Sequence, residues 1–341
     1  MNFEFWQIIL EKHWGVKAKL SSLDGEFDLN ILAKSNDDDN CFVLKIMRED
    51  CLHDFVDMQI EALSQLKEKE PELPFPQVVN TLSGKKFIQC IDESGNDRLL
   101  WLIKKLPGQK YAEFKRKNLN LIHELGQMIA QCDIALRSFE HSFLDRDLKW
   151  NLVEAGWIEN HIDLIEDPKR KIMIENVIND YKNILPKLQD QPFQAIHGDI
   201  NDHNILVDGC LNEQPRISGI LDFGDMCLCP RVCNVAIAGA YIVLDYEKPE
   251  AALISLIHGY NINSPFKSDE LDLIWPLLRM RLAVSVINST LMSKDDPKDP
   301  YITVSQAPAW RFLELKTENS KIIAARLRSK CSKPVVEGAD R

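Results

Sequence analysis

Apolar positions along the chain follow two periods, and the change between them divides it in two. Phe3, Trp6, Ile9 and Leu10 recur at helical spacing and predict a helix over residues 3–14, which Gly15 stops. Strand-like runs follow at 16–20, 29–33 and 41–47. A helix is predicted over 54–69, with Phe55, Ala62, Leu63 and Leu66 on one face, and Pro71, Pro74 and Pro76 break it. Further strands at 77–82, 86–91 and 99–106 complete an antiparallel lobe of five or six strands with one long helix. Pro107-Gly108 ends the last strand and is a natural hinge, so residues 1–106 are expected as one lobe and 107–341 as a second.

Beyond residue 118 the period is helical. Leu121, Ile122, Leu125, Met128 and Ile129 form an apolar stripe of the kind that packs a core. Further helices are predicted over 171–188, 232–244, 250–260, 269–292 and 305–325. Two short apolar strands, 205–207 and 217–221, interrupt this half, joined by a polar turn around Gly209 and Asn212. A hairpin there brings Asn204 and Asp222 to the same end.

That placement carries chemistry. His197-Gly198-Asp199 precedes Asn204 by the spacing H-x-D-x-x-x-x-N, and Asp222-Phe223-Gly224 follows 18 positions after Asn204. Phosphoryl transfer from a nucleotide needs a carboxylate to orient the attacking hydroxyl, and oxygen ligands for Mg²⁺ on the phosphates. Asp199 suits the first task, and Asn204 and Asp222 the second, because Mg²⁺ prefers hard oxygen donors. The bland alternative, a capped turn and a strand end, explains either half of the pattern but not both in order.

The first lobe supplies candidates for the nucleotide. Lys45 stands alone in the apolar run Phe42-Val43-Leu44-Lys45-Ile46, so it must reach solvent, phosphate oxygens or an acid. Glu61 on the following helix is the expected partner, with Glu49 and Glu68 as alternatives. The turn 21–28 holds a single glycine, Gly25, where backbone can approach phosphate closely; an ordinary hairpin loop fits it equally well. Residues 102–105, Leu102 and Lys104 among them, are expected to line a purine pocket through backbone groups.

Acidic residues beyond those that phosphate chemistry requires, Asp202 and Asp225, flank the catalytic groups and favour an acceptor with a free ammonium. Arg279 and Arg281 lie inside an apolar helix, which calls for a salt bridge or for a clamp on an acceptor carboxylate. Composition narrows the partners. A net charge of −11 argues against nucleic acid or an anionic membrane, and residues 235–244, the longest apolar run, are too short to span a bilayer. The stretch 1–14 carries Glu4 and Glu11 and lacks the features of a signal peptide. Nine cysteines lack metal-ligand spacing, and even the cluster Cys227, Cys229, Cys233 has no nearby histidine, so a reduced, cytoplasmic protein is expected.

Lys45, the Glu61 helix, Leu106-Pro107-Gly108, the 197–204 loop and Asp222 together resemble the aminoglycoside phosphotransferase-type family of small-molecule kinases, a branch of the protein-kinase-like fold. Segments 139–141, 146–150, 197–207, 219–226 and the late segment from 279–286 through Pro308-Ala309-Trp310 are similar to its hydroxylysine kinase branch and to kinase domains fused to bacterial class III aminotransferases. The resemblance implies an α+β two-lobe fold, with a β-rich nucleotide lobe and a mainly helical lobe. It implies Mg²⁺, ATP or GTP as donor, and a hydroxyl of an amino acid or amino alcohol as acceptor, 5-hydroxylysine among them. Choline, homoserine, a methylthio-sugar or an aminoglycoside are alternative acceptors. His-Gly-Asp in place of His-Arg-Asp and the lack of Ala-Pro-Glu after Asp-Phe-Gly set the chain apart from protein kinases. A kinase-like binding protein without activity is the competing class.

Overall fold

The computed structural model describes residues 2–23, 25, 28–209, 214–244, 246–295, 306–315 and 320–332. The turn expected around Asn212 lies outside the described residues.

Helix α1 (Phe3–Trp14) begins on an Asn2 cap, whose side chain accepts the Glu4 N–H at 3.0 Å. Its buried stripe, Trp6, Leu10 and Trp14, lies on the outer face of an antiparallel sheet. Leu10 alone, fully buried, contributes roughly 2 kcal/mol. The sheet comprises β1 (Ala18–Leu23), β2 (Leu29–Ser35), β3 (Cys41–Ile46), β4 (Val78–Val79), β5 (Phe87–Ile91) and β6 (Asp97–Lys104). Its order is β1-β2-β3-β6-β4, with β5 also paired to β6. Strand alternation sorts the side chains: Leu44 and Leu102, in register, face α1, whereas Lys45 and Trp101 face the opposite side. Helix α2 (His53–Lys69) belongs to the core on that inner side.

The strand predicted over 77–82 shortens to β4. Beyond it Thr81 and Leu82 leave the sheet, their N–H groups donating to Lys85 O and His13 O.

The inner core runs on into the helical half, where Gln65 Nε2 and Lys69 Nζ of α2 reach Ala135 O at 2.7 and 2.9 Å. That half contains β7 (Gln109–Lys110), α3 (Leu119–Leu136), α4 (Pro168–Gln189), β8 (Phe193–Ile196), β9 (Ile205–Asp208), β10 (Arg216–Ile220) and β11 (Cys227–Pro230). It closes with α5 (Val232–Ile242), α6 (Pro249–Asn263), α7 (Ser268–Asp295), α8 (Gln306–Leu315) and α9 (Ser320–Cys331). The single helix expected over 305–325 is thus represented by two, α8 and α9. The passage between the halves is tied down: β7 pairs with β9, and Ser218 Oγ donates to Pro107 O at 2.8 Å.

Eight cysteines are described and all are free. Cys227 and Cys229 are the buried positions of β11, alternating with exposed Leu228, which accounts for their spacing without a metal. No helix among the described residues is long and apolar enough to cross a membrane.

Candidate active site

Strands β8 and β11 pair at the two ends of the motif segment, with Ile196 opposite Cys227 and Phe193 opposite Pro230. Between them lies the predicted hairpin: β9 and β10 are antiparallel, with a bulge between Ile217 and Gly219. Leu221 N donates to Asn204 O at 2.7 Å, so the two motif halves meet as the spacing requires.

Each motif residue then has a fixed place. Gly198 adopts φ +80°, and a Cβ there would collide with Asp225 O, so only glycine lets the loop pass. Fully buried His197 accepts the Asp199 N–H on Nδ1 at 3.2 Å, leaving Nε2 to donate to Leu221 O at 2.9 Å. Burial pushes its pKa down to about 4.

Asp199 is gripped on both oxygens. Oδ2 accepts Nδ2 of Asn201 at 2.7 Å and Nδ2 of Asn204 at 3.0 Å, and Oδ1 accepts Nη2 of Arg281 at 2.5 Å. With Nδ2 of Asn204 committed to Asp199, Oδ1 is its atom suited to a cation.

Asp222 is the only non-glycine residue with positive φ among the described ones, at 63°. Its side chain stands deep in the cleft but open to solvent. The Lys45 ammonium holds its carboxyl below the usual range, against burial. Asp225 joins Asp199 and Asp222. Burial and the charges of those two push its pKa up to about 7, with Arg281 and Arg146 acting the other way.

Other sequence candidates take different positions. The Lys45 charge acts on Asp222, and its ammonium lies 5.3 Å from the Trp101 ring centroid, but it does not meet Glu61. Glu61 is exposed on another face of α2, grouped with Asp57 and His141. The face of α2 turned toward the site is that of Phe55, whose ring would touch a Cβ on Gly224, and Phe55 and buried Gln59 share it one turn apart. The Asp57, Glu61, His141 group does not suit a metal. His141 Nδ1 accepts the Phe143 N–H at 3.1 Å, which puts the imidazole proton on Nε2, the nitrogen that faces Asp57.

The Leu102 side chain points into the α1 side of the sheet, and the side chains on the cleft side of β6 are Trp101 and Ile103; the expected purine contact of residues 102–105 is through their backbone. Lys104 is exposed, and its N–H donates to Gln77 O. Gly25 is exposed in the β1–β2 turn, where a Cβ would strike Asp28 O and the Asn30 amide; Asp24, Glu26 and Phe27 around it lie outside the described residues. The Asp202 carboxyl lies beside Lys117 and His203 and acts on Tyr111, rather than on Asp199 or Asp222. Arg279 takes the salt bridge: Nη1 reaches Asp180 at 2.9 Å.

Three residues escaped the sequence argument. Arg146 sends Nη1 to Met226 O at 2.7 Å and Nη2 to Gly224 O at 2.5 Å, holding the backbone on both sides of Asp225. Trp150 and Tyr241 flank the Arg281 guanidinium, with ring centroids at 4.3 and 5.6 Å. For Arg146 and Trp150 the signal was an arginine and a tryptophan in one charged loop, 145–150, with nothing local to explain them; Tyr241, inside an apolar helix, offered none.

Residues 25–271 match the model of the phosphotransferase enzyme family. The chain belongs to that family. Hydroxylysine kinase of Mus musculus is 27% identical to it over 329 residues, covering 90% of this chain and 86% of the relative. A microcompartment-associated aminopropanol kinase superposes with a TM-score of 0.74 at 15% identity, over 94% of this chain and 99% of that one. An amicoumacin kinase, solved with AMP-PNP and Ca²⁺, superposes with a TM-score of 0.67 at 13% identity, over 93% and 94%. The α+β two-lobe kinase-like fold expected from the motifs is the fold of this family. The phosphotransferase acts on an alcohol hydroxyl of a small molecule.

Proposed function

We propose that the protein transfers the γ-phosphoryl group of ATP or GTP to a hydroxyl of an amino acid or amino alcohol, with 5-hydroxylysine heading the acceptors. The observation that carries the acceptor class is the gathering of Asp199, Asp222 and Asp225 in one cleft; burial, and after it the charges of Asp199 and Asp222, push the Asp225 carboxyl up to about 7. Lys45 and Arg281 offset part of that charge. The remainder draws in a cation and repels a sugar phosphate. An acceptor ammonium beside Asp225 uses that field. Arg279 and Arg281 are both engaged with protein carboxylates, so neither is assigned to an acceptor carboxylate. The 27% identity with a hydroxylysine kinase supports the same acceptor class.

Asp222 and Asn204 Oδ1 form a hard-oxygen donor set, and Asp222 is open to solvent and held ionised, which fits Mg²⁺. Bound there, the ion would neutralise charge on the nucleotide phosphates. Lys45 serves the phosphates from the facing sheet. Asp199 orients the acceptor hydroxyl, and Asp202 serves the structure of the loop instead of the acceptor. We place the boundary of the nucleotide lobe at 106/107 and the protein in the cytoplasm, where the free thiols remain reduced.

The deciding experiment is a panel of acceptors crossed with ATP and GTP, measured by release of nucleoside diphosphate. Hydroxylysine should exceed choline, homoserine and an aminoglycoside in kcat/KM. A neutral or anionic alcohol at the head of the panel refutes the charge argument. A correctly folded protein with no Mg²⁺-dependent turnover of either nucleotide would instead be a kinase-like binding protein.

A further inference from the structure

We propose that Arg281 is a positioning residue for Asp199: it fixes the carboxylate that receives the acceptor hydroxyl and does not touch the acceptor itself. The inference rests on the phosphoryl-transfer function of the site, not on the choice of acceptor.

Arg281 lies on α7 among Leu278, Met280, Leu282 and Ala283, and is 1% exposed. A guanidinium so far from water needs opposite charge and full hydrogen bonding to be stable. Three separate parts of the chain provide this. Nη2 donates to Asp199 Oδ1 at 2.5 Å, Nε to the Tyr241 hydroxyl at 3.2 Å, and Nη1 to Trp150 O at 3.5 Å. The Trp150 ring lies under the ion, its centroid 4.3 Å from the guanidinium carbon, a cation–π contact that favours arginine over lysine. The guanidinium is therefore aimed before any ligand enters. An acceptor carboxylate reaching it would have to displace Asp199.

The grip bears on the reaction. Asn201 and Asn204 hold Oδ2 from the catalytic loop, and Arg281 holds Oδ1 from the opposite wall. Donors on both oxygens prevent the carboxylate from turning. In the reaction the acceptor O–H bond breaks as its oxygen bonds to the γ-phosphorus. The bond from that phosphorus to the bridging oxygen breaks, and the nucleoside diphosphate leaves. The hydroxyl proton passes to Asp199 and then to solvent. The transition state is loose, so alignment of the hydroxyl contributes more than early removal of its proton. A cation fixed against Asp199 suits that division: it keeps the carboxylate an acceptor of a hydrogen bond while the phosphoryl group moves.

The test combines Arg281→Ala and Arg281→Lys with Asp199→Asn, using the best acceptor of the panel and, separately, water as acceptor in nucleotide hydrolysis. Arg281→Ala should lower kcat about 10²-fold, as for loss of one aimed donor, with acceptor KM and affinity for Mg²⁺–nucleotide within about threefold of wild type. Arg281→Lys should recover little, because an ammonium cannot fork between Asp199 and Tyr241. The double variant Asp199→Asn/Arg281→Ala should be no more than about threefold slower than Asp199→Asn, since both act through one carboxylate. Guanidinium ion added to Arg281→Ala should restore kcat, and should not do so in the double variant. A raised acceptor KM with intact kcat would overturn the proposal and make Arg281 an acceptor ligand. Multiplicative losses in the double variant would overturn it too. If Arg281→Ala does not fold, Tyr241→Phe, which removes the hydroxyl that aims Nε, takes its place: a lower kcat at unchanged KM supports the proposal, and unchanged kcat refutes it. Failure of every amine-bearing acceptor refutes the acceptor class alone, and hydrolysis then decides the role of Arg281.

Discussion

His197 Nε2 donates to Leu221 O, joining the residue that opens the catalytic loop to the one before Asp222 at 2.9 Å. The same ring accepts the Asp199 N–H on Nδ1 and packs against Phe223 with centroids 4.6 Å apart. The imidazole is thus a neutral spacer. Protonation would put a second proton on Nδ1 and break the bond to Asp199. His197→Ala should cost roughly 2–4 kcal/mol, from the cavity and the unmet Leu221 carbonyl. The sign of its pH effect follows from the lowered pKa. Folding holds the ring neutral down to about 4, while the unfolded chain takes up a proton near 6.5. Its stabilisation is complete above 6.5 and is lost as the pH falls toward 4. Urea unfolding of wild type and His197→Gln should show the wild type losing ground to the variant as the pH falls from 6.5 to about 4. Parallel curves would contradict the assignment.

Asp133 should behave in the opposite sense. It is buried beneath the catalytic loop, accepting Tyr260 Oη at 2.8 Å and Asn234 Nδ2 at 2.7 Å, and Asn234 Oδ1 in turn receives the Gly198 N–H. Burial raises its pKa to about 7 from 3.8. The folded state keeps a proton that the unfolded chain has lost, so this stabilisation declines as the pH rises from 4 through 7. Wild type should lose on the order of a few kcal/mol against Asp133→Asn across that interval. A difference that does not change with pH would show that Asp133 stays ionised.

What the sequence reveals of this protein depends on the range of each interaction. The hairpin that unites Asn204 and Asp222 is local and was legible, because two apolar runs flanked a turn. Lys45 was legible because a lone ammonium in an apolar strand needs an explanation. Glu61 was misplaced for a physical reason. The apolar stripe of α2 gives its buried side, but its docking on α3 through Gln65 and Lys69 decides which residues meet the cleft. For Leu102 strand parity decides the side chain alone, since one residue separates the α1 side from the cleft side, and the expected pocket contact there is through the backbone. Arg146, Trp150, Tyr241 and Arg281 reach one site from distant parts of the chain. Only tertiary packing places them beside Asp199 and Asp225.

Lys45 and Glu61 should therefore differ in effect. Lys45→Met removes the charge that stabilises Asp222 as an anion and should weaken nucleotide binding at least about tenfold, the value of a charge-assisted contact of roughly 1.4 kcal/mol or more. Glu61→Gln, on an exposed face beside Asp57 and His141, should leave kcat and nucleotide affinity within about twofold of wild type, as expected for a surface charge. Equilibrium binding of nucleotide to both variants checks the pair. Equal loss in the two would restore the Lys45–Glu61 partnership.

Arg279 offers the matching contrast to Arg281, two residues away. Its guanidinium pairs with half-buried Asp180 on α4, 2.9 Å from Nη1. Arg279→Met should lower stability by about 1–2 kcal/mol through the broken pair, with kcat and acceptor KM unchanged. Thermal melts and steady-state kinetics on the same preparation measure both. An acceptor KM raised more than stability loss explains would return Arg279 to the acceptor site.

Asp222 combines a strained backbone with an exposed carboxylate, and two substitutions separate these features. Its φ of 63° suits asparagine and aspartate better than alanine, because a short polar side chain can bond locally in the left-handed region. The local bond exists: Gly224 N donates to Asp222 Oδ1 at 3.2 Å. Asp222→Asn keeps the shape and that acceptor while removing the charge. It should fold with stability near that of wild type yet bind Mg²⁺–nucleotide at least about tenfold more weakly, since a carbonyl oxygen is a poorer ligand for a hard dication than a carboxylate. Asp222→Ala loses the same affinity and, in addition, about 1 kcal/mol of stability from an alanine held at positive φ. Removing Mg²⁺ from the assay should reduce the affinity of wild type for nucleotide toward that of Asp222→Asn and leave the variant nearly unchanged. Calorimetry that finds wild-type affinity for Mg²⁺–nucleotide in a folded Asp222→Asn would show that the ion is held elsewhere.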